Sequence, residues 1–432
     1  MFEKLNLLIP IGNFIRNKSI QNFLFLAIIQ SSNVLISIIS MPLLIQNIGV
    51  DQFGLVNLAL SVIILFNIVV GFGYNLSAPR EVAVNQADKS ALSHLVSNVF
   101  SAKILLATVA TLLILIGIYG MNLFQEYRII LALSVLLLFS EATLPLWFFQ
   151  GMEKMKLISI ANIFSKLLYL MGIVLFIHSP AQSQWVNFMM GLSGFLINLL
   201  LLWYIHTFLG IRFYRPEISA IVKSLRDNVL LFFSNLASYI SINGGLIILS
   251  FFSAAEVLGM YSLAEKVIMV ARLFPPFIYQ AIIPKASKLH EEDLTEFFNF
   301  LRRVNRKILI IGFFLSSLIY VLAPFIISVL SRSELSESVL YLRILAFIPF
   351  LACLNVVNVT MMMAANLKDL LFNASVQMCL FMLLVAPILT YYFGPVGLCS
   401  ALLLTEIGVF FICLLLLYRK NRTLFHGYYL RS

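Results

Sequence analysis

Charged residues are scarce in this chain: they make up 11% of its 432 residues, whereas hydrophobic residues make up 61%. The mean hydropathy is +0.99. Soluble globular domains carry about 25% charged residues, so this composition excludes that class. We therefore expect an integral membrane protein.

The sequence patterns of membrane enzymes and ATP-driven pumps are missing as well. There is no GxxxxGK[ST] phosphate loop, no HExxH and no GxSxG. These are the usual motifs of ATP hydrolysis, zinc-dependent hydrolysis and serine hydrolysis. The five histidines and four cysteines have no metal-like spacing, and we expect the cysteines to be small packing residues. These absences predict a protein that is not an enzyme and that uses no cofactor or metal.

Long apolar runs predict helical spans. A spanning helix needs about 20 apolar residues, and runs such as Ile104 to Tyr119 lack the alternation of a membrane β-strand. We predict twelve spans, with a charged amphipathic stretch from Pro284 to Lys307 as the longest interruption. Most Lys and Arg residues outside the spans fall in one set of loops and at both termini, which places both termini in the cytoplasm.

The formal net charge of +10 follows from this topology. It also indicates attraction to anionic membrane lipids, and we expect no nucleic-acid partner.

The chain resembles itself at an ungapped offset of 205 residues. GVDQFGLVNLALSV, which starts at Gly49, aligns with AAEVLGMYSLAEKV, which starts at Ala254, so that Gly54 aligns with Gly259. With twelve spans, this offset predicts two pseudo-symmetric six-helix bundles: an N-lobe over residues 1–212 and a C-lobe over residues 213–432. Such repeats are typical of transporters, in which two halves expose one central site alternately to each side of the membrane.

The first and seventh spans, which are partners in the repeat, contain many polar side chains. These side chains predict a hydrated cavity, to which Tyr279 near the end of the eighth span is added. Hydrogen bonds between packed helices would explain the same polarity, and both explanations stay open at this point. The predicted cavity-lining residues of the two spans are Gln30, Asn33, Asn235, Tyr239 and Asn243.

Charges inside the spans are costly and are usually paired or functional. Arg272 follows Glu265 by seven residues, so the two share one helix face. The planar guanidinium suits a phosphate ligand, and an ion pair with a buried carboxylate such as Glu265 is the alternative. Basic groups outnumber acidic ones in the predicted spans, which favours a phosphate-bearing substrate over a cationic one.

Six further charges lie within the predicted spans: Lys103, Glu141, Lys166, Lys266, Arg343 and Glu406. Glu141 and Lys166 lie equally far from the hairpin between the fourth and fifth spans, so we expect them to form a neutralising pair. Lys103 has no obvious partner. Glu406 faces no basic residue across its hairpin, and an isolated buried carboxylate could bind a proton or cation during transport.

The motifs GVDQFG at Gly49 to Gly54 and SAPREVA from Ser77, together with twelve spans in two halves, resemble the O-antigen flippases of the Wzx type in the MOP exporter superfamily. The resemblance implies an all-α, MATE-like membrane protein. It implies transport of an undecaprenyl-diphosphate-linked oligosaccharide by alternating access, from the cytoplasmic to the periplasmic leaflet of a bacterial inner membrane. Membrane lipids and other surface-glycan assembly proteins are the further partners it implies.

The resemblance also implies that cationic residues hold the diphosphate. We assign this role to Arg272 first, and then to Lys103 and Lys266. If a proton or sodium gradient drives transport, the candidate coupling carboxylates are Glu406 and Glu265. The alternative function is a cation-coupled exporter of small molecules with the same fold.

Overall fold

The computed structural model describes residues 18–122 and 124–430, and the regular elements in these ranges are helical. Short π-helical or 3-10 turns occur at Ile116–Gly120, Gln125–Tyr127, Pro180–Gln182 and His426–Leu430. The α-helices are α1 (Lys18–Gly71), α2 (Tyr74–Val84), α3 (Lys89–Leu115), α4 (Arg128–Ser134), α5 (Leu136–Thr143), α6 (Leu146–Gly151), α7 (Met155–Phe176), α8 (Trp185–Thr207), α9 (Ile218–Asn243), α10 (Gly245–Leu249), α11 (Ala255–Ala271), α12 (Phe274–Glu292), α13 (Leu294–Ser331), α14 (Ser336–Leu345), α15 (Ile348–Ala364), α16 (Lys368–Lys420) and α17 (Arg422–Phe425).

Nine helical stretches of the described chain are long and apolar enough to cross a membrane, judged by length and composition. Two of them run for 61 and 53 residues, far more than the roughly 20 residues that one crossing needs. Each of the two is interrupted by a glycine, Gly49 (φ 84°, ψ 167°) in α1 and Gly394 (φ 58°, ψ −142°) in α16, so each supplies two spans. The more polar α9, continued by α10, provides the remaining span, and the predicted architecture of twelve helical spans is confirmed.

The predicted interruption from Pro284 to Lys307 is helical. Only Asp293 separates α12 from α13. Its carboxylate oxygen Oδ1 accepts hydrogen bonds from the backbone N–H groups of Thr295 (2.8 Å) and Glu296 (3.1 Å), which satisfies donors that a helix start leaves unpaired. The charged residues therefore lengthen two spanning helices.

Packing divides the chain into two compact units, each with its own buried apolar core. Of the described residues, the first unit contains those up to Ile48 together with those from Val62 to Phe233, and the second contains Gly49–Ser61 together with those from Ser234 onward. The border between the units falls inside α9. The lobe boundary between residues 212 and 213 was drawn from the repeat, and it stays a prediction.

Two equivalent glycines of the repeat contact each other inside the second unit. A Cβ added to Gly54 in α1 would lie 2.4 Å from the backbone nitrogen of Gly259 in α11, and a Cβ added to Gly259 would lie 1.9 Å from the carbonyl oxygen of Val50. Only glycine permits such a close approach of two backbones. The crossing therefore brings together two positions that the repeat aligns.

Candidate functional site

A polar cavity of about 240 Å³ lies within the first unit, between α1, α5, α7 and α8. It is unusual for a helical bundle in which most side chains are apolar, because each buried polar group needs a hydrogen-bond partner. The polar residues that line the cavity are Asn33, Asn67, Ser140, Glu141, Asn162, Ser165, Lys166 and Asn198.

Side-chain amides contribute most of the hydrogen-bonding groups of this cavity. The Asn198 amide nitrogen Nδ2 donates to the carbonyl oxygen of Ser140 at 2.8 Å. The Oδ1 atoms of Asn33 and Asn67 are buried and have no hydrogen-bond partner among the residues that the structure describes. Leaving a buried polar group unpaired costs about 1–3 kcal/mol, so these two amides are suited to a ligand rich in hydroxyl groups.

Two ammonium groups and one carboxylate set the charge of the cavity. Lys103 on α3 is completely buried, and its Nζ lies 3.6 Å from Oε1 of Glu141. Lys166 also lines the cavity, and within residues 18–122 and 124–430 no carboxylate forms an ion pair with it. The cavity region is therefore net positive, which favours an anionic group.

The expected ion pair between Glu141 and Lys166 is wrong, because Glu141 pairs with Lys103 instead. Equal distances from the hairpin placed Glu141 and Lys166 at similar depth, and both do line the same cavity. Depth does not define the direction in which a helix turns each side chain about its own axis. Lys103, which had no obvious partner in the sequence, therefore has one, and its role as a diphosphate ligand stays a prediction.

Arg272 and Glu406 form a buried ion pair in the second unit. Nη2 of Arg272 lies 2.9 Å from Oε1 of Glu406, and the two side chains are only 15% and 10% exposed. Nη1 of Arg272 also donates to the carbonyl oxygen of Ile242 at 2.9 Å. That oxygen lies in the last turn of α9, where carbonyl groups lack the partner that a continuing helix supplies.

The expectation that Glu406 is an isolated carboxylate is therefore wrong, because its basic partner comes from a helix outside its own hairpin. The alternative in which Arg272 forms an ion pair with a buried carboxylate is confirmed, with Glu406 as the partner in place of Glu265. The Glu265 carboxylate accepts a hydrogen bond from the Tyr261 hydroxyl at 3.2 Å. The seven-residue spacing did place Glu265 and Arg272 on the wall of one small pocket. As coupling carboxylates, Glu265 and Glu406 stay predictions.

The two pockets occupy equivalent places in the repeat. Three residues that line the cavity of the first unit align, at the offset of 205 residues, with three that line the pocket of the second unit. The first unit thus has an open polar cavity where the second unit has the ion pair between Arg272 and Glu406. The pocket in the second unit has a volume of only about 10 Å³. The aligned lining residues are Asn67 and Arg272, Ser140 and Leu345, and Ile197 and Leu402. The cavity residue Leu201 aligns with Glu406, the ion-pair partner of Arg272.

The other residues predicted at a binding site take varied positions. The Tyr239 hydroxyl donates to the carbonyl oxygen of Ser61 at 3.2 Å, Tyr279 packs against an apolar cluster, and Gln30 is exposed. The described ranges contain no group of three or more His, Cys, Asp or Glu side chains that could hold a metal ion. The half-buried residues of the predicted set are Asn235, Asn243 and Lys266.

Residues 19–290, more than half of the chain, match the family model described as polysaccharide biosynthesis protein. The chain belongs to this family. Membership in the polysaccharide biosynthesis protein family confirms the resemblance that the GVDQFG and SAPREVA motifs indicated.

A curated relative and two solved structures extend this result. The relative, from Shigella dysenteriae and provisionally named an O-antigen transporter, is 25% identical over 392 residues, which span 90% of this chain and 97% of the relative. The lipid II flippase MurJ in an inward closed conformation has a TM-score of 0.71 at 15% identity, over 92% of this chain and 87% of that chain. An inward-facing multidrug resistance MATE family transporter of the MOP superfamily has a TM-score of 0.70 at 12% identity, over 93% and 99%. The likeness confirms the predicted MOP/MATE-like fold of this family member.

Sequence reasoning did not assign Asn67, Asn162 and Asn198 to the site. Each is a carboxamide within a mostly apolar span, and an uncharged polar group at such a depth is itself a signal of a cavity or of a helix contact. The cavity was predicted from the number of polar residues in the first and seventh spans, and these three residues lie in other spans.

Proposed function

We propose that this protein is a flippase that moves an undecaprenyl-diphosphate-linked oligosaccharide, either the O-antigen or a similar surface-glycan repeat unit, across a bacterial inner membrane by alternating access. Family membership, the name of the Shigella relative and the fold shared with a lipid II flippase support this function. The observation that carries the proposal is the amide-lined, net-positive cavity of the first unit, because amides suit sugar hydroxyls and an ammonium group suits phosphate.

The size of the cavity limits what it can hold. Its volume of about 240 Å³ is below the roughly 300–1,000 Å³ of pockets that enclose drug-sized ligands. One sugar with the phosphate group next to it is the part of the substrate that suits this space, and a complete oligosaccharide diphosphate is too large for it. We therefore assign the cavity to one part of the substrate.

In this proposal Lys166 binds a phosphate group, and the unpaired amides of Asn33 and Asn67 bind sugar hydroxyls. Lys103 neutralises Glu141, so that the carboxylate does not cancel the charge of Lys166. Without the buried Lys103, Glu141 would repel an anionic substrate from the same cavity.

The rest of the proposed cycle extends the expectations from the sequence. Arg272 and Lys266 are further candidates for the diphosphate. The cycle uses no cofactor, and a proton or sodium gradient drives it. Both termini lie in the cytoplasm, which reporter fusions at each end would test.

The decisive experiment compares variants of one residue in a strain that lacks the chromosomal gene. Lys166→Gln removes the unpaired charge, Lys166→Arg keeps it, and Lys156→Gln removes an exposed charge from the same helix. A hydrogen bond to a charged group contributes about 1.5–3 kcal/mol, so we expect Lys166→Gln to lower surface glycan by at least about tenfold at matched protein levels. Lys166→Arg and Lys156→Gln should stay near the wild-type level.

The function itself is tested separately by the leaflet in which lipid-linked repeat units collect. Deletion of the gene should trap these units on the cytoplasmic side, and the wild-type gene should restore their export. An unchanged distribution would refute the flippase function, and increased sensitivity to small cationic compounds in the same strain would favour the exporter. Normal glycan with Lys166→Gln would refute the assignment of the cavity alone.

A further inference from the structure

A strongly cationic cleft lies along the first turns of α13 in the second unit. The space beside it measures about 600 Å³. Four basic side chains and one carboxylate face this space, which leaves a clear positive excess. The residues that line the cationic cleft are Glu296, Asn299, Arg302, Arg303, Arg306 and Lys307.

Two of the four cations already have partners inside the protein. Arg303 forms an ion pair with Glu296, and Nη2 of Arg302 donates to the carbonyl oxygen of Gly427 at 2.8 Å. The other two cations are exposed, and in the part of the chain that the structure describes they form no ion pair. These two residues are Arg306 and Lys307.

A second, more apolar space adjoins the cationic cleft. It measures about 400 Å³, shares Asn299 and Arg302 with the cleft, and lies between α13 and the C-terminal segment. Arg302 holds that segment in place through the bond to Gly427. Apolar side chains from both walls, Leu294, Phe298 and Leu430, line it. The combined surface therefore offers cations next to apolar groups, as an amphiphile requires.

The position of the cations along α13 indicates how deep the cleft lies relative to the bilayer. The helix continues without a break from Lys307 into an apolar segment in which Ile310 and Ile311 are 64% and 49% exposed, as expected for side chains that face lipid. With a rise of 1.5 Å per residue, Arg302 lies within about 9 Å of the start of this segment. Lipid phosphates lie just outside the hydrocarbon region of a bilayer, so the cleft is at the level of the head groups.

We propose that the cationic cleft binds the head group of an anionic membrane phospholipid. Arg306 and Lys307 contact the phosphate, and the apolar side chains of the adjoining space contact the first part of the acyl chains. Arg302 is a positioning residue, because it holds the C-terminal segment that forms the second wall. The site is independent of the transported substrate, and its test needs no transport measurement.

The test uses the full-length protein, purified in detergent and titrated with dioctanoyl phosphatidylglycerol or dioctanoyl phosphatidylcholine, with bound lipid counted by native mass spectrometry. The variant Arg306→Gln/Lys307→Gln removes the two free cations. Arg212→Gln/Arg215→Gln removes two other exposed cations and is the matched control for net charge. Arg306→Lys/Lys307→Arg keeps both charges and guards against a folding defect.

Basic residues near a membrane surface attract the head groups of anionic lipids. Loss of both Arg306 and Lys307 should therefore weaken the binding of phosphatidylglycerol by about thirtyfold. The control and the charge-keeping variant should bind within about twofold of wild type, and phosphatidylcholine should bind far more weakly. Equal losses in the test variant and the matched control would overturn the proposal, as would equal binding of the two lipids. Displacement of phosphatidylglycerol by the same concentration of inorganic phosphate would show that the cleft takes a free anion, and would also overturn it.

Discussion

The buried ion pair between Arg272 and Glu406 provides the sharpest test of the second unit. Its side chains are 15% and 10% exposed and approach to 2.9 Å. Removal of one partner from such a pair leaves an uncompensated buried charge and costs on the order of 3–5 kcal/mol. We expect the loss of stability in Arg272→Gln to lie at the upper end of this range, because the variant leaves the Glu406 carboxylate buried without a partner. Glu406→Gln should fall at the lower end, since Arg272 keeps its bond to the carbonyl oxygen of Ile242.

The double variant Arg272→Gln/Glu406→Gln separates a structural pair from a ligand site. Two neutral amides of similar size can hydrogen-bond to each other, so we expect the double variant to lose at most about 2 kcal/mol, less than either single variant. The free energy of unfolding would be measured by denaturant titration in mixed detergent micelles. Lys288→Gln is the control, because its pair with Glu292 spans 3.7 Å with side chains 72% and 60% exposed, and such pairs contribute about 1 kcal/mol or less.

Two results would refute this reasoning. If the losses of the two single variants add up in the double variant, the charges do not act as a pair. If the double variant is as stable as expected but abolishes surface glycan, Arg272 acts on the substrate, as the sequence first indicated.

Two further predictions concern backbone contacts. Gly259→Ala would place a methyl group 1.9 Å from the Val50 carbonyl oxygen, so we expect a loss of about 1–3 kcal/mol from overpacking, measured by the same denaturant titration. Gly71→Ala, whose nearest contact would be an ordinary 3.7 Å, should cost far less, and equal losses would contradict the close crossing. Ser97→Ala removes the hydroxyl that accepts from the Tyr214 backbone N–H at 2.8 Å, which should cost about 1 kcal/mol and speed trypsin cleavage between α8 and α9. Thr108→Ala, which affects only a bond inside α3, should leave the cleavage rate unchanged.

The repeat shows how far sequence reasoning extends into the site. The offset of 205 residues was recognised from Gly54, Gly259 and their neighbours, and the structure places those two glycines in contact. The same offset relates Asn67 to Arg272 on the walls of two equivalent pockets. The offset could not predict what those pockets contain, because helices that are equivalent in the repeat enclose an open polar cavity in one unit and an ion pair in the other.

Pairing of the buried charges marks the limit of that reasoning. Depth in the membrane follows from distance along a helix, and it correctly placed Glu141 and Lys166 on one cavity wall. It did not identify Lys103 as the partner of Glu141, nor Arg272 as the partner of Glu406. Lys103 and Glu141 come from consecutive spans, whereas Arg272 and Glu406 come from spans that are neither hairpin neighbours nor related by the repeat.

The sequence by itself determined the membrane class, the twelve helical spans and the duplication, because hydropathy and internal similarity are properties of the chain read in one dimension. Tertiary structure alone decided which charges neutralise one another, which amides stay unpaired and where cations gather beside an apolar wall. Those outcomes depend on the tilt of each helix and on its rotation about its own axis, which packing of the whole unit sets. One residue along a helix with 3.6 residues per turn changes the direction of a side chain by about 100°, so distance along the chain alone does not identify the partner of a buried charge.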